Sequence, residues 1–428
     1  MSNYIPRLID NQIERYMNVV GAILIIGPKW CGKTTTAIEH TNSMLKLQSN
    51  KKDYYHQIAE INPSQLLKGE KPKLIDEWQI TPIIWDIIRN DVDESNQKGL
   101  YILTGSTVVD NNEIMHTGTG RIHRMLMMPM TLYESGDSNG QISLSDLFND
   151  SELNIDSYYS NLTIENISYL ICRGGWPESL NIEDKEDKLL VPKLFYDAIC
   201  ETDISAIDNI KRDSNRVKYI LRAYSRNIST LAKDKTIIKD IHNEYNDIGK
   251  TTYYEYVDAL KRLFVIKNIP GWSPNIRSSN MIRKGTKKEF IDPSIAVAAL
   301  ELSPTRLLND IKTFGFLFES LCIRDLTVYV NSIGGNIYYY NDNYGLEADA
   351  ILQLNNGKYA LIEIKLGSKE IEKGAKNLLK LKNLIEEKKE KENLTIPSPS
   401  FLAVITGGEF AYTRKDGVKV IPLGCLKN

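Results

Sequence analysis

Eight residues, Gly27 to Thr34, constrain this chain more than any other part of it. They read GPKWCGKT and satisfy the pattern G-x-x-x-x-G-K-[ST]. The apolar run Ala22–Ile26 precedes them, and Thr34-Thr35-Thr36-Ala37-Ile38 can open a helix behind them. A buried strand, a glycine-bearing turn and a helix, in that order, are the context such a pattern needs to cradle a phosphate chain. Gly27 and Gly32 let the backbone curl so that successive N–H groups face phosphate oxygens. The helix start adds the positive end of its dipole. Lys33 supplies a point charge for the β- and γ-phosphates, and Thr34 a hydroxyl for Mg²⁺. Pro28, Lys29, Trp30, Cys31 and Thr35 complete the expected nucleotide-binding loop. A chance Lys-Thr after a glycine turn would lack both the strand before it and the helix after it. The spacing predicts a nucleoside triphosphate site.

A chain of 428 residues is too long for one ordinary core, and about two or three domains are expected. Its 53 basic and 55 acidic residues nearly cancel, so no global field announces a polyanion partner. Nucleic-acid binding would have to come from a local patch. Cys31, Cys172, Cys200, Cys322 and Cys425 form no C-x-x-C pair. They support neither a zinc site nor a disulfide framework, and they fit a reducing cytosol. The N-terminal MSNYIPRLID lacks a basic-then-apolar signal, and no apolar run reaches membrane-spanning length. A cytoplasmic location with no membrane partner is expected.

Alternating apolar runs and helical stretches predict an α/β chain in three parts. Residues 1–157 read as a P-loop NTPase domain with a parallel sheet. Strands are expected at 22–26, 73–75, 100–104 and 125–128, and the polar stretch 135–156 reads as a connection. Residues 158–302 read as a helical lid and winged-helix-like region, in which 251–257 leads into Leu260, Leu263 and Val265. Residues 303–428 read as a second α/β domain. A helix there starts near Phe314, with strands at 337–340, 348–354, 359–364 and 400–406 and a charged helix at 369–391.

Lys73-Leu74-Ile75-Asp76-Glu77 is a short apolar strand ending in two carboxylates. Asp76 suits Mg²⁺, directly or through water, and Glu77 suits deprotonating the attacking water. A site that only binds would need the first carboxylate but not obviously the second. The next strand ends in Thr104-Gly105-Ser106, whose hydroxyls can meet the γ-phosphate or the water. Arg121 and Arg124 follow the glycine-rich Thr117–Gly120 stretch and are candidates for stabilising the transferring phosphoryl group.

These residues resemble the ATPase module of a prokaryotic AAA-type family. There the loop reads like G-x-R-x-x-G-K-T-T, the following acidic strand ends in Asp-Glu, and the next strand carries Thr-Gly-Ser-Ser. Tyr4-Ile5-Pro6-Arg7 resembles the segment before that family's first helix, and Gly120-Arg121 its Gly-Arg before the Pro-containing strand. The resemblance implies ATP and Mg²⁺ as cofactors. It favours Arg121 over Arg124 as a finger acting in trans, hence a homo-oligomer. Lys29 stands where Arg is usual and Thr107 where a second Ser is typical. Cys172–Glu178 resembles the family's Gly-Gly-aromatic-Pro segment, where Arg173 reads as a structural turn residue before a sensor.

A second constellation lies near the end of the chain. Glu363 and Lys365 are two apart on one strand and share a face. A hairpin turning near Asn355-Asn356-Gly357 brings Asp349 alongside them. Asp349, Glu363 and Lys365, with Glu319 on the preceding helix, resemble a PD-(D/E)XK restriction-endonuclease-like site. That resemblance implies Mg²⁺ on Asp349, Glu363 and Glu319, with Lys365 activating water. Two basic groups are candidate DNA contacts: Lys211, Arg212, Arg216, Lys218, Arg222 and Arg226, and then Arg277, Arg283, Lys284, Lys287 and Lys288. The resulting expectation is a DNA-associated ATPase coupled to a nuclease-like domain. The alternative is a nucleotide-dependent switch or scaffold whose nuclease-like fold is inert and whose partner is a protein.

Overall fold

Residues Ala22–Ile26 form strand β1, and their side chains divide between two cores. Ala22 and Leu24 join Trp78, Trp85 and Ile88 on one face. Ile23 and Ile25 join Ile13, Ala37 and Met125 on the other. A strand buried on both faces reads as an unbroken apolar run, which is why the period-two alternation is absent here. The computed structural model describes residues 4–49, 52–106, 118–208, 210–245, 248–273, 285–342, 345–392 and 396–428. The chain divides into two compact units. The first holds Met1–Pro129, Trp176–Asn181 and Arg262–Phe264; the second holds Met130–Gly175, Ile182–Lys261 and Val265–Asn428.

In the first unit, β2 (Ser43–Lys46), β3 (Lys73–Asp76), β4 (Tyr101–Gly105) and β5 (Ile122–Leu126) complete a five-stranded sheet. Its order is β2-β3-β4-β1-β5 and every pairing is parallel. Helices α1 (Asp10–Met17), α2 (Lys33–Glu39), α3 (Lys52–Ile61) and α4 (Ile84–Ser95) accompany it. On α4 the buried Ile84, Trp85, Ile88 and Val92 share one face at helical spacing. Asn96 ends α4 in the left-handed region with its N–H on the Val92 carbonyl. Parallel strands bring β1, β3 and β4 to the same carboxyl edge, where ligands of open α/β sheets bind.

Two strand expectations need correction. β2 is a short edge strand whose residues are alternately half-buried and exposed, so it lacks the apolar run that marks its neighbours. β5 begins three residues earlier than expected, because Ile122 pairs with Ala22 and Leu126 with Ile26. Met127 and Met128 lie beyond the strand.

The second unit carries a six-stranded mixed sheet. Its strands in chain order are β7 (Gly335–Asn341), β8 (Glu347–Leu354), β9 (Tyr359–Lys365), β10 (Phe401–Thr406), β11 (Tyr412–Thr413) and β12 (Lys419–Pro422). β7, β8 and β9 pair antiparallel, and β9, β10 and β12 pair parallel. The β8–β9 hairpin turns through Gly357 at φ 88°, as the Asn-Asn-Gly sequence requires. The helix Ile311–Ser332 is buried along most of its length, and Ile371–Glu392 connects β9 to β10. Upstream stand the helices Ser214–Arg226, Asp234–Glu244 and Lys250–Arg262, followed by antiparallel bridges Ile266–Phe290 and Ile269–Lys287. Tyr253 and Trp272 are core residues of this unit.

The expected boundary at residue 157 is also corrected. Residues 130–157 belong with the C-terminal unit: β6 (Ile142–Ser143) pairs in parallel with β13 (Leu426–Lys427). The Ser138 hydroxyl donates to the carbonyls of Gly424 and Leu426 at 3.0 and 2.7 Å. Phe148 packs edge-on against Phe401 at 5.1 Å. A polar stretch that reads as a linker is a docking segment, because its few apolar residues and hydroxyls find partners about 280 residues downstream. Residue 302, the other expected division, falls inside the second unit.

Candidate nucleotide site

The loop after β1 is held open by its glycines. Gly27 lies at φ 153°, and a Cβ there would sit 2.2 Å from the Met127 carbonyl oxygen. That neighbour is backbone and cannot turn aside, so a side chain would displace the segment after β5 or the loop. Gly32 lies at φ 98° and starts α2 in the left-handed region. The buried Lys33 ammonium donates to the carbonyls of Gly27 and Pro28 at 3.0 and 2.7 Å. Pro28 and Cys31 are buried, whereas Lys29, Trp30 and Thr35 are exposed. Arg7 fastens the loop to the segment after β5: its guanidinium donates to the Cys31 carbonyl at 2.9 Å and the Met128 carbonyl at 2.8 Å. The Tyr4 hydroxyl meets Asp10 and Thr36.

The carboxylates gather beside the loop. Asp76, buried at the end of β3, accepts from the hydroxyls of Thr34 and Thr104 on one oxygen, both at 2.7 Å. The Glu77 N–H donates to the Thr104 hydroxyl at 3.1 Å. Glu77 itself has φ 56°, a left-handed backbone that costs a non-glycine residue about 1 kcal/mol or more. Its carboxylate accepts from Ser106 at 3.1 Å and from the Gln79 amide. Thr104 therefore spans Asp76 and Glu77. Gln79 is not among the residues expected from the sequence, because its contact with Glu77 depends on the left-handed backbone there.

Arg121 and Arg124 lie elsewhere. Arg121 precedes β5, at the end of the sheet opposite the loop, and pairs with Asp93 of α4 at 2.6 Å. Arg124 stacks over Trp85 at 5.3 Å. Thr107 and Thr117 fall outside the described residues. Arg173 is buried and donates to Asp137 at 2.7 Å, a structural contact within the second unit.

The second constellation is a chain of alternating charge. Lys287 pairs with Glu319 and lies 3.9 Å from an Asp349 oxygen. Lys365 lies 3.0 Å from Asp349 and 2.5 Å from Glu363. The Ile364 N–H donates to Asp349 at 2.7 Å, and Asn377 reaches Glu363 at 3.3 Å. Burial pushes the Glu319 and Glu363 carboxyls above the usual range, with the Asp349 charge adding to it. Burial acts on Asp349 too, but Lys287 and Lys365 outweigh it and hold that carboxyl low. The expected hairpin thus brings Asp349, Glu363 and Lys365 together. The expected three-carboxylate metal set does not form: Lys287 and Lys365 stand between the acids. Among the described residues no group of three or more His, Cys, Asp or Glu side chains is gathered to hold a metal.

Several members of the two basic groups are engaged by acids. Arg212 pairs with Asp208, Arg226 with Asp240 and Glu244, Lys218 with Glu201, and Lys288 with Asp234. Arg277, Arg283 and Lys284 fall outside the described residues. Among the described residues no helix is long and apolar enough to cross a membrane.

Comparison with known proteins gives three family matches along the chain. Residues 20–135 match the AAA domain. Residues 164–306 and 314–426 match two domains of unknown function, DUF8612 and DUF4143. Uncharacterized proteins of Mycobacterium bovis and Mycobacterium tuberculosis are each 20% identical over 357 residues, which is 83% of this chain and 72% of theirs. A Walker-type ATPase of Pyrococcus abyssi is similar at TM-score 0.41 and 15% identity, over 68% of this chain and 94% of that one. With the β1 loop and the Asp76-Glu77 strand end inside the first match, the N-terminal part of this chain is an AAA-type, P-loop ATPase-like domain.

Proposed function

We propose that this protein binds ATP with Mg²⁺ and hydrolyses it, and that the nucleotide state acts as a switch on the second unit. The observation that carries this is the meeting of Thr34, Thr104 and Asp76 beside the loop. A buried carboxylate whose two side-chain partners are hydroxyls needs a cation for balance, and hard oxygen donors of this kind suit Mg²⁺. When bound, Mg²⁺ supplies positive charge to the β- and γ-phosphate oxygens. The loop N–H groups and the Lys33 ammonium bind the phosphate chain. Glu77 takes the proton of the attacking water as its oxygen bonds to the γ-phosphorus and the bond to the β-phosphate oxygen breaks.

Arg121 enters this reading only through a second copy of the chain. The five-residue strand β5 spans about 17 Å, and it separates Arg121 from the edge where the loop lies. A finger acting in trans would make specific activity rise with protein concentration. Cleavage of nucleic acid by the C-terminal acids is the weaker reading, since among the described residues no three His, Cys, Asp or Glu side chains are gathered to hold a metal. DNA association is weaker as well, because Arg212 and Arg226 of the 211–226 group are spent on nearby acids.

The test is ATP turnover and binding in Glu77→Gln and Lys33→Ala, each with and without single- and double-stranded DNA. Glu77→Gln should retain ATP and slow hydrolysis by roughly 10²–10⁴-fold. Lys33→Ala should lose tight ATP binding. Unchanged turnover in the first variant removes Glu77 from the base role, and normal affinity in the second puts the nucleotide elsewhere. DNA-stimulated turnover or cleavage would restore the DNA-associated reading.

A further inference from the structure

Gln79 and Ser106 close a ring of hydrogen bonds on one oxygen of Glu77. The Gln79 amide nitrogen donates to Glu77 Oε2 and, at 3.4 Å, to the Ser106 oxygen. The Ser106 hydroxyl donates in turn to Glu77 Oε2 at 3.1 Å. A carboxylate only accepts, so the amide must present its nitrogen here, and the glutamine orientation is fixed by chemistry. Its own oxygen is left buried, with no hydrogen-bond partner among the described residues. That costs free energy, so the amide is held by the other two members of the ring.

The surrounding backbone makes room for this arrangement. Gln79 sits on the single helical turn Trp78–Ile80, which Trp78 anchors against Trp85 at 4.8 Å. Gly105 lies beneath, and a Cβ there would come within 3.0 Å of the Trp78 indole nitrogen and 3.2 Å of the Gln79 oxygen. The left-handed turn at Glu77 aims the carboxylate at the ring rather than along the strand.

We propose that Gln79, with Ser106, is the positioning element of the hydrolytic base. It holds Oε2 so that the remaining oxygen, Oε1, faces the attacking water. This deepens the ATPase reading and rests on it. The logic is that of any base oriented by a third group: the base works only when its second contact fixes it. Gln79 acts through Glu77 and is a positioning residue, not a catalytic one.

The experiment is steady-state ATP hydrolysis with separate equilibrium binding of ATP, in the full chain, for five variants. Gln79→Ala should lower kcat by roughly 10–100-fold with ATP affinity within about twofold of the parent. Gln79→Glu, nearly the same shape, should lower kcat at least as much, because it sets a carboxylate against Glu77. Ser106→Ala should lower kcat less than either, since one donor remains. Gln79→Asn, with the same amide on a shorter arm, should recover part of the Gln79→Ala loss. If Gln79→Glu is clearly more active than Gln79→Ala, the side chain serves packing and the proposal fails. It also fails if kcat is unchanged in both. Glu77→Gln separates the two layers: a slow Glu77→Gln with fast Gln79 variants overturns only the positioning role, whereas a fast Glu77→Gln overturns the base itself.

Discussion

The two units treat buried carboxylates in opposite ways. Asp76 in the first is met by two hydroxyls. Asp349 in the second is met by two ammonium groups, Lys287 and Lys365. Hydroxyls satisfy hydrogen bonding without cancelling charge, so the Asp76 site keeps a negative charge in reserve for a cation. Ammonium groups offset it, so the Asp349 charge is compensated by side chains of the protein. Both sets read in sequence as carboxylates suited to Mg²⁺. What distinguishes a poised site from a quenched one is the residue that fills the space between the acids.

Removing the balance should therefore affect the two units differently. Lys287→Ala leaves Glu319 and Asp349 facing one another without their shared cation. Breaking a buried pair in this way costs about 3–5 kcal/mol, read as a lower urea midpoint for the second unit. Asp76→Asn should leave thermal and urea stability within about 1 kcal/mol of the parent, since its partners are hydroxyls that an amide oxygen can still accept from. The same variant should lose Mg²⁺-dependent hydrolysis. A Lys287→Ala protein as stable as the parent would break the comparison, as would an Asp76→Asn protein that still turns over ATP.

Glu289 sharpens the contrast through pH. It is buried, accepts from Ser229 at 2.9 Å and Ser320 at 2.7 Å, and faces Lys287 and Lys267. Burial pushes its carboxyl up from 4.5 to about 7 despite those contacts. A raised folded-state value means the contribution is fully present below the unfolded value and is lost as pH rises through about 7. The loss amounts to about 3 kcal/mol. Glu289→Gln, neutral throughout, should remove that decline, so the urea midpoint difference between variant and parent should grow in the variant's favour from pH 5 to pH 8. A difference independent of pH would mean that Glu289 is already charged at pH 5.

Much of this was legible in the sequence, and the gaps have physical causes. β1, β3, β4, β8, β9 and β10 are apolar runs buried on one or both faces, and such runs are visible locally. β2 was not, because an edge strand need not be apolar. The role of 130–157 was hidden because Ser138 and Ile142 reveal their purpose only when the far end of the chain arrives. The loop, Asp76 and Glu77 follow a pattern of spacing, whereas Gln79 acts through a turn geometry that no spacing rule encodes. Lys287 is the sharpest case. It read as part of a basic surface, yet it is buried between Glu319 and Asp349, which lie 32 and 62 residues away.

The finest test of the poised site is Thr104→Val. Valine keeps the branched shape in β4 but removes the one oxygen that donates to Asp76 and accepts from the Glu77 N–H. Asp76 retains Thr34, so its loss is a single hydrogen bond, while the Glu77 N–H loses its acceptor. The left-handed backbone at Glu77 then has one fewer restraint holding it. The expected stability loss is about 1–2 kcal/mol, with ATP affinity little changed and kcat lowered roughly tenfold. If kcat falls in Thr104→Val but recovers in Thr104→Ser, the hydroxyl acts by aligning Asp76 and Glu77. If Thr104→Val instead weakens ATP binding while kcat holds, the hydroxyl meets the nucleotide directly and Asp76 is aligned by Thr34 alone.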